Sequence, residues 1–368
     1  MMLRPSPLCR AAFVLAVGFH VLSARAEFRT TERTVTQLAE GLYVIRHPDA
    51  PDGFPQGNTT VAIGRDAVLV VDSCYLPSAA RADLAQIRQW TDKPVRYLVN
   101  THWHYDHQLG NGVYADACPG LAIIAHPETR DQIRGMNPGW FERYPALAAR
   151  MRKTLDTGIR ANGQPLTAEV RPLVEQSLAA RLAVQAEFDA QPGRVPNVLV
   201  EDSLTLDLGG RTARILHLGR GNTAGDVVVH LPAEGIVAAG DLIDTPVPYI
   251  GSGYPKDQVR TLAALAQLQP KWFVPGHGEI LNAERGQAHV QLTRDYLSDV
   301  AAKMKAAVHK LGNNPADFEK VKAEVEKTVD FDGWRKKFVG DHKGDQDYFD
   351  SFPKAGAIAA SFAETWPQ

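Results

Sequence analysis

Cysteine is scarce in this chain, with Cys9, Cys74 and Cys118 the three in 368 residues. None stands at metal-ligand spacing from another, so no cysteine-based metal motif is present. An excess of basic charge is also missing: 40 Lys and Arg face 42 Asp and Glu, a formal net charge of −2. That balance gives no basic patch and implies no nucleic acid partner. Beyond the amino terminus no run is long and apolar enough to cross a membrane, and no short internal repeat recurs. What remains is an ordinary globular composition, long enough for one large domain or two modest ones with a buried core.

The amino terminus departs from this. Arg4 and Arg10 precede an apolar run from Ala11 to Leu22, and Ala24-Arg25-Ala26 follows. A charged region, an apolar region and small residues at a cleavage point make a secretory signal over residues 1–26. The run is too short to span a bilayer comfortably, which argues against a membrane anchor. A mature chain starting near Glu27, periplasmic or secreted and without stable membrane insertion, is therefore expected. Cys9 leaves with the leader. In an oxidising compartment Cys74 and Cys118 can pair, or can serve as two small buried residues.

The rest reads as strands, helices, more strands, then more helices. Strands are expected at Leu42 to Arg46, Thr59 to Ile63, Ala67 to Val71, Val95 to Val99 and Leu121 to Ala125. A Pro- and Gly-rich loop separates the first two, from His47 to Gly57. Pro77 to Trp90 has helical periodicity, and Gln108 to Asp116 reads as a short helix. Residues 127–191 turn helical and polar, with breaks expected at Asn137-Pro138-Gly139 and Asn162-Gly163. Strands return at Ser203 to Leu206, Thr212 to Leu218, Val227 to Leu231, Ile236 to Ala239 and Lys271 to Val274, with a helix from Pro255 to Leu268. From Ala283 the chain is mostly helical. The order predicts an α/β sandwich, sheets inside and helices outside. It is divided into a core over 27–282, with 127–191 as a helical insertion, and a helical extension over 283–368.

Chemistry concentrates where the Val95 strand ends, in Asn100-Thr101-His102-Trp103-His104-Tyr105-Asp106-His107. In extended chain alternate side chains share a face, so His102 and His104 can grip one ion. Asp106 and His107, one step further, can reach a second. Imidazole nitrogen and carboxylate oxygen suit a borderline metal such as zinc. Core packing does not ask for three histidines and an aspartate within six residues. Two later segments share the layout, a β-branched strand emptying into a candidate ligand: Gly240-Asp241, and Pro275-Gly276-His277-Gly278. Either alone reads equally well as a turn residue. Donors just past strand ends can converge at one rim of a sheet, where α/β proteins commonly bind ligands.

Together the H-x-H-x-D-H string, the later Gly-Asp and the Pro-Gly-His-Gly resemble the metallo-β-lactamase superfamily over about Leu42 to Gly278. Val70-Val71-Asp72 also resembles that family's strand ending in a supporting aspartate. The resemblance implies an αββα four-layer sandwich with a two-zinc site. It implies His102 and His104 on the first ion, Asp106, His107 and His277 on the second, and Asp241 bridging both. One position departs. Where the family usually carries a third histidine for the first zinc, the string here is Gly221-Asn222-Thr223-Ala224-Gly225-Asp226. An amide oxygen is a poorer donor than imidazole, so Asn222 is a weak ligand or a contact to water or substrate. The second site keeps its donors and is expected to hold metal more tightly. His217 reads as a satisfied strand histidine.

The same resemblance implies a zinc-dependent hydrolase using a metal-activated hydroxide, oriented by Asp106, on a small-molecule substrate. Asp241 stands where dedicated lactamases generally have cysteine or serine, and Asp244 where the most widespread of them has a lysine. An ester, lactone, thioester or amide bond is therefore favoured, with β-lactam hydrolysis and a non-catalytic metal- or ligand-binding protein as alternatives. No flavin module accompanies the site, which disfavours redox chemistry. Trp103 and Tyr249 are candidate substrate contacts but are better read as packing. Arg220, a candidate for an anionic substrate, is better read as an ion pair. The insertion and the His47–Gly57 loop are expected to border the pocket, by analogy with the fold.

Overall fold

The computed structural model describes residues 31–340 and 348–365. The expected leader lies outside the described residues. Two compact units divide the chain: one holds Thr31–Leu199 with Leu208–Gly210, the other Val200–Asp207 with the chain from Arg211 onward.

The first unit is built on a seven-stranded sheet whose spatial order follows the chain. Strands β1 (Thr34–Ala39), β2 (Leu42–Arg46), β3 (Thr59–Ile63) and β4 (Val68–Val71) pair antiparallel. From β4 the sheet continues in parallel through β5 (Val95–Val99), β6 (Ala122–Ala125) and β7 (Val198–Leu199). A parallel neighbour needs a crossover, and α1 (Pro77–Trp90) supplies it between β4 and β5. Pro77 fits its first turn because the missing N–H would be unpaired there anyway. Ala80, Leu84 and Ile87 fall on one face of α1 and pack with Ile45, Val61, Val70 and Leu98. β4 is buried throughout, consistent with its unbroken apolar run.

After β5 come two short helices, α2 (Tyr105–Gln108) and α3 (Asn111–Ala117), where the sequence suggests one. The larger difference lies in the insertion. Instead of breaking at Asn137-Pro138-Gly139, α4 runs as one helix over Pro127–Thr157, through both Pro138 and Pro145. An interior proline costs a helix about 3 kcal/mol. Tertiary contacts offset this: Tyr144 and Ala148 of α4 are buried, with Tyr144 in a cluster with Ala50, Tyr75, Val184 and Phe188. Trp140 stacks on Tyr105 at 4.2 Å between ring centroids. The expected break around Asn162-Gly163 does separate α4 from α5 (Arg171–Ala190).

The second unit carries a six-stranded sheet in the order β13-β12-β11-β10-β9-β8. Its strands are β8 (Ser203–Asp207), β9 (Thr212–Leu216), β10 (Val228–Leu231), β11 (Ile236–Asp244), β12 (Trp272–His277) and β13 (Leu281–Asn282). All pair antiparallel except β11 with β12, which α6 (Pro255–Ala266) joins in parallel. β11 runs further than its apolar stretch suggests, so Asp241 lies inside the strand and His277 ends β12. The register of the pair shifts between Gly240 and Asp244, an irregularity that re-aims side chains at this point.

Among the described residues four α-helices follow: α7 (Ala283–Leu311), α8 (Phe318–Thr328), α9 (Phe331–Val339) and α10 (Ala355–Ala363). Asn282 caps α7 by accepting from Arg285 N at 3.0 Å. Val290, Tyr296, Val300, Val325, Phe338 and Ile358 from these helices share one core with Val237 and Phe273 of the sheet. No helix among the described residues is long and apolar enough to cross a membrane.

Candidate metal centre

In the first unit the donor run begins where β5 stops. His102 and His107 are fully buried and Asp106 nearly so. His102 Nε2 and His104 Nδ1 lie 2.9 Å apart, and the His102 and His107 ring centroids 4.3 Å apart. His107 Nε2 is 3.8 Å from Asp106 Oδ2. These side chains are thus brought together on one short stretch of chain.

Asp72 organises them. It leaves β4 in the left-handed region at φ 61°, a conformation aspartate tolerates better than most residues. Its buried carboxylate accepts from Thr101 N and Thr101 Oγ1, each at 2.8 Å. It also stands 2.8 Å from His107 Nδ1. That partner fixes a proton on Nδ1 and leaves Nε2 as the lone-pair nitrogen, the usual arrangement behind a metal-ligating imidazole. A second brace holds the His107 backbone: Asn100 Nδ2 donates to its carbonyl at 3.1 Å, and Asn100 and Asn111 exchange amide bonds. Ser73 Oγ donates to Asn111 Oδ1 at 2.8 Å. Sequence reading singled out Asp72 but missed Ser73, Asn100 and Asn111, whose polar side chains look like loop composition until their partners are known.

The His47–Gly57 loop is fastened to the same run. Gly57 N donates to the Asp106 carbonyl at 3.2 Å, and a Cβ at Gly57 would stand 2.7 Å from His107 Nδ1. Only glycine allows this approach. Gly57→Ala is therefore expected to push His107 aside and lower metal affinity by about 10–100-fold, as loss of a ligand's support does. Titration of the metal-stripped protein with zinc measures this; unchanged affinity would refute it.

In the second unit His277 Nε2 lies 3.8 Å from Asp241 Oδ1, and Asp241 is 4 % exposed. A Cβ at Gly276 would stand 2.8 Å from Asp241 N, so glycine is required there too. Asp244 is a brace that sequence reading missed. Its Oδ1 accepts from His277 N at 3.1 Å and its Oδ2 from Tyr249 N at 3.3 Å. Asn222 is fully buried, and its Nδ2 donates to the Tyr249 carbonyl at 2.6 Å. That bond sets the amide's orientation. Its Oδ1 is buried with no hydrogen-bond partner among the described residues, an expensive state unless a ligand completes it. Asp226 closes the Asn222 loop by accepting from Thr223 N and Thr223 Oγ1. Burial pushes its carboxyl up to about 7, against the pull of those Thr223 bonds.

The remaining candidates sit in structural roles. His217 Nδ1 is 2.8 Å from the Asp226 carbonyl. Arg220 pairs with Asp257, Nε to Oδ2 at 2.7 Å, and lies over the Tyr254 ring at 4.4 Å. Trp103 is half-buried beside His104, ring centroids 4.5 Å apart. Tyr249 uses its backbone on both sides, toward Asp244 and Asn222. Cys74 and Cys118 are both free thiols.

The donor chemistry fits a divalent metal: imidazoles and carboxylates, mostly buried, with His107 braced by Asp72 and the Asn222 amide oxygen left over. A model of the metallo-beta-lactamase superfamily matches residues 52–277, and the chain belongs to that superfamily. Membership places it among metal-dependent hydrolases. It is 24% identical over 250 residues to the linear primary-alkylsulfatase of Pseudomonas sp. (strain ATCC 19151). That match covers 63% of this chain and 44% of the relative, so the chain spans less than half the curated relative's length. Among solved structures, the metallo-beta-lactamase from Pontibacter korlensis aligns with TM-score 0.50 and 18% identity, covering 73% of this chain and 99% of that one. DIM-1 metallo-beta-lactamase aligns with TM-score 0.47 and 16% identity, covering 71% and 97%. The Pontibacter likeness identifies the metallo-β-lactamase fold, as the sequence implies.

Proposed function

We propose that the protein is a zinc-dependent hydrolase of small-molecule esters in the broad sense, and that both donor sets serve one metal centre. His102 and His104 would hold one ion, Asp106, His107 and His277 a second, and Asp241 both. The observation that carries the reading is His107, held by the Asp72 carboxylate so that Nε2 is left to bind. Bound there, zinc supplies a Lewis acid and a nucleophile at neutral pH. The chain's own residues do the rest. Asp106, buried in the first turn of α2, would accept a proton and orient the attacking oxygen. Asn222 offers its free amide oxygen to the first ion or to a substrate donor. Because an amide binds zinc less well than imidazole, the second ion is expected to be retained longer on dialysis.

Asp244 argues against a dedicated lactamase. Where a lysine would meet the drug's carboxylate, this side chain is negative and spends both oxygens on backbone N–H groups. The alkylsulfatase relative adds sulfate esters to the carboxylic esters, lactones, thioesters and amides already favoured. The test is hydrolysis of such a panel, with a β-lactam included, before and after chelation and with zinc added back. Turnover of at least one ester that disappears on chelation and returns with zinc is expected. Metal uptake without turnover on any member would instead favour a binding protein, and no uptake would overturn the reading.

A further inference from the structure

A second cluster of metal-type donors lies in the first unit, apart from the His102–His107 run, and no role is yet assigned to it. His47, at the end of β2, Cys74, just past β4, and Asp83, in α1, meet in the interior, each at most 6 % exposed. Cys74 Sγ is 3.4 Å from His47 Nε2 and 3.5 Å from Asp83 Oδ2, and His47 Nε2 is 2.9 Å from Asp83 Oδ2. Donors on one tetrahedral zinc, with bonds of about 2.0–2.3 Å, stand roughly 3.3–3.6 Å from each other. Two of the three edges match, and the third is shorter by about the difference between sharing a proton and sharing an ion.

We infer that His47 Nε2, Cys74 Sγ and Asp83 Oδ2 form a buried three-donor site for a zinc-type divalent ion, separate from the hydrolytic centre.

The surroundings are those of a ligand set. His47 Nδ1 is 2.9 Å from the Gly57 carbonyl, which fixes the proton there and leaves Nε2 to bind. The other oxygen of Asp83 accepts from Arg33 Nε and Nη2 at 3.1 and 2.9 Å. Thr59 Oγ1 lies 3.4 Å from the sulfur. Cys74 is held at φ 68°, a strained backbone for a residue with a side chain, and one that persists only where its surroundings over-determine it. An independent observation comes from Tyr114 of α3. Its hydroxyl is fully buried with no hydrogen-bond partner among the described residues, and Asp83 and Cys74 are its foremost ionisable neighbours. A water completing the ion's fourth position would satisfy that hydroxyl.

The hydrolytic donors contain no sulfur, which separates this test from that of the hydrolase reading. The full chain, stripped of metal and loaded with cobalt(II), is expected to show a thiolate-to-cobalt charge-transfer band in the near ultraviolet. Cys74→Ser should abolish the band and lower bound metal by one equivalent, while Cys118→Ser keeps both. Zinc-edge X-ray absorption of the unaltered protein should show a sulfur neighbour at about 2.3 Å, and decides the matter if Cys74→Ser does not fold. A fully loaded protein with neither band nor sulfur neighbour overturns the proposal, as does a band that survives in Cys74→Ser. The cluster is then a hydrogen-bonded brace carrying protons alone.

Discussion

Asp241→Asn is expected to lower metal-dependent turnover by more than the roughly 10–100-fold that loss of a ligand's support costs, and to reduce bound metal, with the fold intact. The side chain keeps its shape, and β11 is buried throughout, paired to β10 through Ala238 and to β12 as far as Asp244. What is lost is a negative charge 3.8 Å from His277 Nε2, in surroundings too dry to replace it. Elemental analysis beside a rate measurement on any substrate found active checks this. A variant with full metal and at least a tenth of the activity would show that Asp241 is not a metal ligand.

Asp72→Asn is the second large effect, expected at about 10–100-fold in metal affinity or activity. Asparagine tolerates the left-handed backbone at this position, so the substitution adds little strain. It does remove the acceptor pattern: a carboxylate now takes three donors, from Thr101 N, Thr101 Oγ1 and His107 Nδ1. An amide must turn its NH2 toward one of them. The imidazole then loses the partner that fixes its tautomer, and His107 Nε2 binds less well. Zinc affinity by competition with a chromophoric chelator measures the change. Unaltered affinity would mean that Asp72 acts on the backbone of Thr101 alone.

Much of the architecture was legible before any coordinates. Pro77–Trp90 and Val95–Val99 match their expected bounds because period and punctuation agree there. The superfamily was legible in the spacing around His102, Asp241 and His277. Other parts were not. β1 carries mostly exposed residues without apolar alternation, and β7 and β13 are two residues each, too short for a period. Pro138 read as a helix stop because a local rule sees the lost hydrogen bond but not the packing of Tyr144 and Trp140 that offsets it. The supporting side chains escaped for a related reason. Asn100, Asn111 and Asp244 are polar residues whose partners lie elsewhere in the chain or on backbone groups, and no spacing announces them. His47, Cys74 and Asp83 were equally invisible, one from a loop, one past a strand and one from a helix.

The shared core of the second unit has a practical side. Phe273 sits in β12 four residues before His277, and Val237 in β11 four before Asp241; both lie in one apolar cluster with α7 and the helices after it. Two proposed ligands thus ride on strands covered by the helices from residue 283 onward, nearly the last quarter of the polypeptide. Anything that loosens that covering, whether a protease cut, a fused tag or a partner that pulls on it, loosens the grip on the cation as well. Metal retention can in this way report the integrity of helices that carry none of the proposed ligands.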